Sequence, residues 1–199
     1  MRLTWLIAAA LTFMPSAVFA QFGAPDTDVD ISKLVASISE ARMEQLLRTL
    51  VGFGTRNTLS DTTSTTRGIG AARQWILDEL TRTSPKLQVS FDTHQIPKGG
   101  RITRDVELRN IVAILPGRSA RRIYVSGHYD TVNIGGGGQI AANTGTRGTA
   151  GPDENADAPG ADDDGSGTVL VMELARIFAE SGIDFDATLV FTEIGRAHV

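Results

Sequence analysis

Three consecutive carboxylates, Asp162, Asp163 and Asp164, stand directly before a helical pattern. Apolar residues then recur at helical spacing, namely Leu170, Val171, Leu174, Ile177 and Phe178. This periodicity predicts a helix over 166–180 whose amino end faces the carboxylates, with Asp164 or Ser166 as its cap. Adjacent carboxylates repel one another, and a fold that gathers them usually needs a cation nearby. The run is therefore a candidate metal site, although an acidic, glycine-flanked turn is also typical of a solvated loop.

A histidine at the end of a predicted strand strengthens the metal interpretation. Residues 121–127 predict a short strand, and His128 follows it directly, at the kind of position where binding sites form. If the extended geometry continues, Asp130 points to the same side and its carboxylate can accept the ring proton that His128 does not use. One imidazole nitrogen then remains for a metal. The alternative is a structural histidine that binds nothing.

The segments GHYDTV, at 127–132, and PGADDDGSGTVLVMELAR, at 159–176, resemble the secreted di-zinc aminopeptidases. These form metallopeptidase family twenty-eight, a branch of the zinc-dependent exopeptidases with a phosphorylase/hydrolase-like α/β fold. The resemblance implies two zinc ions and peptide substrates with a free amino terminus. It implies that His128 and Asp163 are metal ligands, with Asp163 bridging both ions, and that Asp130 orients His128. Asp162 and Asp164 receive no ligand role.

The resemblance breaks near the end of the chain. The family has a Glu-Glu pair after the next strand, of which one Glu is the general base and the other a zinc ligand. Aligning 188–191 with that strand puts the pair at Ala197 and His198, which cannot act as carboxylates, while Glu193 comes too early. The general base is therefore absent, and we expect this chain to be an incomplete, inactive fragment. Residues 193–199 also match the translation of a common sequencing adapter, which predicts a non-native tail.

The first 20 residues are typical of a signal peptide: Arg2, an apolar run over 3–14, and a small-residue cleavage pattern at 18–20. This predicts a secreted or periplasmic protein, with an uncleaved anchor as the alternative. Residues 21–39 are predicted to form a flexible leader, and 40–192 the amino-terminal part of a peptidase domain that is truncated at its C-terminus. No later stretch is long and apolar enough to predict a membrane partner.

Composition excludes several other classes of protein. With no cysteine, the chain has no disulfide and no thiolate ligand, so a metal must bind through His, Asp or Glu. The 19 basic residues are scattered among 23 acidic ones, which argues against nucleic-acid binding. The sequence contains no HExxH, GxSxG or P-loop motif, so it gives no sign of a helix-borne zinc protease, a serine hydrolase or an NTPase.

The remaining patterns predict an α/β fold with a mixed sheet flanked by helices. Helices are predicted at about 40–51 and 68–81, an edge strand at 87–91, and buried strands at 111–115 and 188–191. The glycine-rich loop 131–158 is either an insertion at the rim of the site or a flexible insert. Two other functions stay open: a secreted protein that binds calcium without catalysis, and a glutaminyl cyclase or carboxypeptidase on the same fold.

Overall fold

The structure, a computed structural model, describes residues 28–100, 102–133 and 153–195. Its helices and strands, in chain order, are α1 (Val29–Ala36), α2 (Glu40–Gly52), α3 (Gly68–Thr83), β1 (Gln88–Ile96), β2 (Val106–Leu115), β3 (Arg122–His128), α4 (Ser166–Glu180) and β4 (Thr188–Ile194). An irregular helical turn over Ala161–Gly165, here called the acidic turn, leads into α4. The predicted signal peptide, the region 134–152 and residues 196–199 lie outside the described residues.

The four strands form one mixed sheet in the order β1-β2-β4-β3. β2 pairs antiparallel with both β1 and β4, whereas β3 and β4 run parallel. The predicted α/β fold class with a mixed sheet is confirmed, and β1 lies at the edge as predicted. Because β3 and β4 are parallel, their carboxyl ends meet at one edge of the sheet, with Gly127 opposite Glu193 and His128 opposite Ile194.

The core lies between the helices and the sheet, where α3 packs on β1 and β2, and α4 packs on β3 and β4. Most of the apolar positions that predicted α2 and α3 are buried, and Met43, Leu47 and Trp75 are partly buried against the same core, which fixes both helices against the sheet. The buried positions include Leu46, Leu50, Ile69, Ala72, Ile76 and Leu80. None of the described helices has the length and apolar character needed to cross a membrane.

The structure differs from the prediction in two respects. β1 and β2 extend beyond the predicted apolar segments, because residues 92–96 pair with 106–110 through their backbones while their side chains are largely polar. Residues 21–39 were expected to form a flexible leader, but 29–36 form α1, whose first turn is capped by the Asp28 carboxylate accepting the Asp30 N–H at 2.8 Å. No residue of α1 is buried, and its apolar residues Val29, Ile31 and Val35 are exposed.

Candidate metal centre

The structure brings His128 and Asp163 together at the carboxyl end of β3. His128 is the last residue of the strand, and its Nε2 lies 3.3 Å from Asp163 Oδ1. The Asp163 side chain is 72% exposed, whereas the imidazole is largely buried at 22% exposure. The strand end and the acidic turn therefore present one ring nitrogen and one carboxylate to the same space.

The other nitrogen of the His128 ring faces Asp130. Nδ1 lies 3.4 Å from the Asp130 carboxylate and 3.3 Å from the Asp130 carbonyl oxygen. The Asp130 side chain is fully buried, and its second carboxylate oxygen accepts a hydrogen bond from the Thr58 hydroxyl at 3.4 Å. This geometry permits Nδ1–H to be donated to Asp130, which leaves Nε2 toward Asp163.

Asp164 connects β3 to α4 through two backbone hydrogen bonds. One carboxylate oxygen accepts the N–H of His128 and the other accepts the N–H of Gly167, each at 3.1 Å. The prediction that Asp164 or Ser166 is the N-cap of α4 is wrong, because Gly165 occupies that position; the Asp164 carboxylate still accepts an N–H of the first turn, and the Ser166 hydroxyl donates to the Asp162 carbonyl at 3.1 Å. Because these backbone donors engage both oxygens of Asp164, it acts as a structural link between the strand and the helix.

A glycine in β3 makes this close junction possible. A Cβ built at Gly127 would lie 3.0 Å from the carbonyl carbon of Gly167, so a larger residue would push the helix away from the strand. The Thr168 hydroxyl then reaches the His128 carbonyl and donates to it at 3.0 Å. The strand that carries the imidazole and the helix that follows the carboxylates are in direct contact.

Sequence reasoning missed Arg56, a fully buried residue behind the site. Its guanidinium donates to backbone carbonyls on both sides of the site, including Tyr129 at 2.6 Å and Pro159 at 2.7 Å. Burial lowers the pKa of Arg56 to about 10, and the negative charges of Asp130 and Asp164 oppose that shift. The polar loop around Arg56 gives no periodic signal, so the sequence did not indicate that this arginine is buried.

Glu193 lies in β4 and is completely buried. Burial raises the pKa of Glu193 well above its usual value of 4.5, against the smaller, opposing effect of the nearby Thr168 hydroxyl, and no hydrogen bond of ordinary geometry reaches either carboxylate oxygen among the described residues. The prediction that it is not the general base stays a prediction. The base predicted to be missing would fall at 197–198, outside the described residues.

Within residues 28–100, 102–133 and 153–195, no group of three or more His, Cys, Asp or Glu side chains is arranged to hold a metal ion. His94 lies apart from the site; its side chain is half-exposed and its Nε2 is 2.8 Å from Asp92. The described chain thus contributes two of the predicted ligands, His128 and Asp163, and no more. Their role as ligands stays a prediction.

Comparison with known proteins places these features in a family context. Residues 110–195 match the family described as "Peptidase family M28". A "Probable zinc metalloprotease" of Pyricularia oryzae is 40% identical over 173 residues, which cover 84% of this chain and 31% of the relative. "Leucine aminopeptidase 1" of Blastomyces gilchristii is 29% identical over 156 residues, 77% of this chain and 33% of the relative. The chain thus spans about a third of the length of these curated relatives.

Two solved structures share the fold. A glutaminyl cyclase of Porphyromonas gingivalis superimposes with a TM-score of 0.57 at 22% identity, over 79% of this chain and 45% of the cyclase. A "Zn-dependent exopeptidase" of Parabacteroides distasonis gives a TM-score of 0.53 at 19% identity, over 75% of this chain and 44% of the exopeptidase. At these identities the likeness concerns the fold alone, and it confirms the predicted zinc-exopeptidase fold.

Proposed function

We propose that this chain is the amino-terminal part of a zinc-dependent aminopeptidase, because residues 110–195 match the model of peptidase family M28. In this proposal the complete protein releases amino-terminal residues from peptides whose amino terminus is free. The relatives named zinc metalloprotease and leucine aminopeptidase support the reaction class. The signal-peptide pattern of residues 1–20 supports export to the periplasm or the medium.

The observation that carries the proposal is the 3.3 Å separation between His128 Nε2 and Asp163 Oδ1. A tetrahedral zinc ion with bonds of about 2.0–2.1 Å holds neighbouring ligand atoms about 3.3 Å apart. A neutral imidazole and a carboxylate are both ordinary zinc ligands. The two side chains therefore fit a shared zinc ion, which they would hold through the ring nitrogen and the carboxylate.

Each residue of the site has a distinct part in this proposal. Bound zinc would supply a Lewis acid that lowers the pKa of water and polarises a peptide carbonyl. Asp130 holds the Nδ1 proton of His128, which fixes the tautomer and keeps Nε2 for the metal. Asp164 fixes the backbone of His128 against α4. The general base, the second histidine and the other carboxylate ligands belong to the rest of the enzyme, so this chain alone is inactive.

The alternative of a calcium-binding protein fits the structure less well. Calcium takes six to eight oxygen ligands, several of them carboxylates. In the acidic turn the Asp164 carboxylate already accepts two backbone N–H groups, and an imidazole nitrogen lies beside Asp163. A nitrogen next to a carboxylate favours zinc over calcium.

The experiment that tests the proposal starts from the genomic sequence downstream of Phe191, which defines the complete protein. We expect it to contain bound zinc and to hydrolyse peptides with a free, but not an acetylated, amino terminus. Chelation should abolish this activity, and so should His128→Ala, by at least about 1,000-fold because a ligand is lost. His94→Ala is the matched control, since its ring is half-exposed and remote from the site.

Near wild-type activity of the His128→Ala variant would refute the assignment. Cyclisation of amino-terminal glutamine without peptide hydrolysis would instead identify a glutaminyl cyclase. Calcium in place of zinc, with no hydrolysis, would support the binding protein.

A further inference from the structure

We propose that Arg56 is the positioning residue of the metal centre: its buried guanidinium holds the strand end that carries His128 at a fixed distance from the acidic turn. This inference rests on the proposed zinc function, because it concerns the spacing of the two ligands. It assigns a role to a residue that touches neither ligand side chain in the contacts described above.

The hydrogen bonds of the guanidinium join both halves of the site. Nε donates to the Tyr129 carbonyl at 2.6 Å, Nη1 to the Pro159 carbonyl at 2.7 Å, and Nη2 to the Gly160 carbonyl at 3.0 Å. Tyr129 lies between His128 and Asp130, and Gly160 directly precedes the acidic turn. One side chain therefore contacts the backbone next to His128 and the residue that directly precedes the turn carrying Asp163.

The backbone of Arg56 fixes the same strand end a second time. The Arg56 N–H donates to the Thr131 hydroxyl at 2.9 Å, and the Thr131 N–H donates to the Arg56 carbonyl at 3.0 Å. The two segments also touch directly, since a Cβ built at Gly160 would lie 2.3 Å from the Thr131 methyl carbon. Any change in the position of Arg56 must therefore move residues 129–131 relative to residue 160.

The chemistry of the contact favours arginine over any other side chain. Arginine offers five N–H donors in a rigid, planar fork, whereas lysine offers three donors from a single nitrogen. The guanidinium also donates to the Leu50 carbonyl at 3.3 Å. It therefore bonds to four backbone carbonyls, of which one lies near the end of α2, one follows β3 and two precede α4. Its charge is compensated by Asp130 and Asp164, which are the carboxylates that orient His128. A lysine retains the charge but cannot reach all of these acceptors.

A purely structural role would also make Arg56 important for stability, so the test needs a readout that stability alone does not change. Ile76 provides the matched control: it is fully buried in α3, in the core rather than at the site. Ile76→Ala is expected to destabilise the fold by creating a cavity, without altering the spacing of His128 and Asp163. Metal affinity and the absorption spectrum of bound Co²⁺ then separate the two roles.

The experiment compares Arg56→Lys, Arg56→Gln and Ile76→Ala in the complete protein, loaded with Zn²⁺ or Co²⁺ in competition with a chelator. We expect both Arg56 variants to lose at least 10-fold in metal affinity and to change the Co²⁺ spectrum, since residues that orient ligands typically have effects of 10–100-fold. Ile76→Ala should keep the wild-type affinity and spectrum although it unfolds more easily.

Wild-type affinity and spectrum in the Arg56 variants, or an equal loss in Ile76→Ala, would overturn the inference while leaving the zinc function intact. A wild-type protein that binds no metal would refute the zinc function first. If neither Arg56 variant folds, Thr131→Val removes the hydroxyl that accepts the Arg56 N–H and keeps the side-chain shape. A loss of affinity of a few-fold is then expected, and an unchanged affinity would overturn the inference.

Discussion

The carboxyl ends of β3 and β4 lie side by side, but their polar residues differ in how they are held. At the end of β3, Asp130 and Asp164 both accept hydrogen bonds. At the end of β4, the buried carboxylate of Glu193 has no hydrogen-bond partner among the described residues. Carboxyl groups at a functional site are normally held by donors, whereas one that is buried without donors favours its neutral form, because an unpaired buried charge is costly. The two strand ends therefore differ in how their carboxyl groups are stabilised.

The largest effect is expected from Glu193→Leu, which replaces an unpaired buried carboxyl group with an apolar side chain. We expect the free energy of unfolding to rise by about 3 kcal/mol. The measurement is urea unfolding of the chain. Glu173→Leu is the matched control, because Glu173 is equally buried but accepts hydrogen bonds from the Ser39 N–H, Arg42 and Arg176.

The control should lose about 2 kcal/mol, since the Ser39 N–H and the two arginines lose a buried carboxylate that they share, although Arg42 keeps Glu79 and Arg176 keeps Glu180. A loss of stability in Glu193→Leu of the same size as in Glu173→Leu would show that the contrast between the two strand ends is wrong.

The second effect is a pH dependence of stability that comes from Glu193. Burial raises its pKa in the folded state above the ordinary 4.5, so the folded chain binds this proton more tightly than the unfolded chain. Stability should therefore fall as pH rises from about 4.5 to the folded-state pKa, by up to about 1.4 kcal/mol per pH unit. Unfolding measured across this range checks it, and Glu193→Gln should abolish the slope. Stability that rises through the same range in the wild type would contradict the prediction.

The smallest effect on stability is expected from Asp163→Asn at the other strand end. Because the Asp163 side chain is 72% exposed, the free energy of unfolding should change by less than about 0.5 kcal/mol. Zinc affinity of the complete protein should nevertheless fall, since an amide is a poorer zinc ligand than a carboxylate. Isothermal titration with Zn²⁺, beside urea unfolding, measures both. Unchanged affinity would remove Asp163 from the site.

The sequence was sufficient for the elements that carry a regular apolar pattern. α2, α3 and α4 follow a helical period, and a period of two placed β1 at the sheet edge. The positions of His128 after a strand and of Asp163 before a helix could be predicted for the same reason, because each lies at the end of such a pattern. Their separation of 3.3 Å could not, since it depends on how β3 and α4 pack.

Arg56 shows where pattern reasoning fails. Its partners are backbone carbonyls, and those of Tyr129, Pro159 and Gly160 lie 73 to 104 residues further along the chain. Every residue has a backbone carbonyl, so the sequence does not show which carbonyls accept a hydrogen bond from a side chain. The extension of β1 and β2 could not be predicted for the same reason, because these residues pair through main-chain groups while their side chains are largely polar.

The order of the strands has a consequence for how this sheet is assembled during synthesis. β2 and β3 are separated by only six residues, but β4 lies between them. The ribosome synthesises β4 after both β2 and β3. These two strands therefore cannot join one sheet until residues 188–194 have emerged from the ribosome. An error in residues 188–194 therefore disrupts the middle of the described four-stranded sheet, whereas in a sheet built up sequentially it would affect only an edge strand.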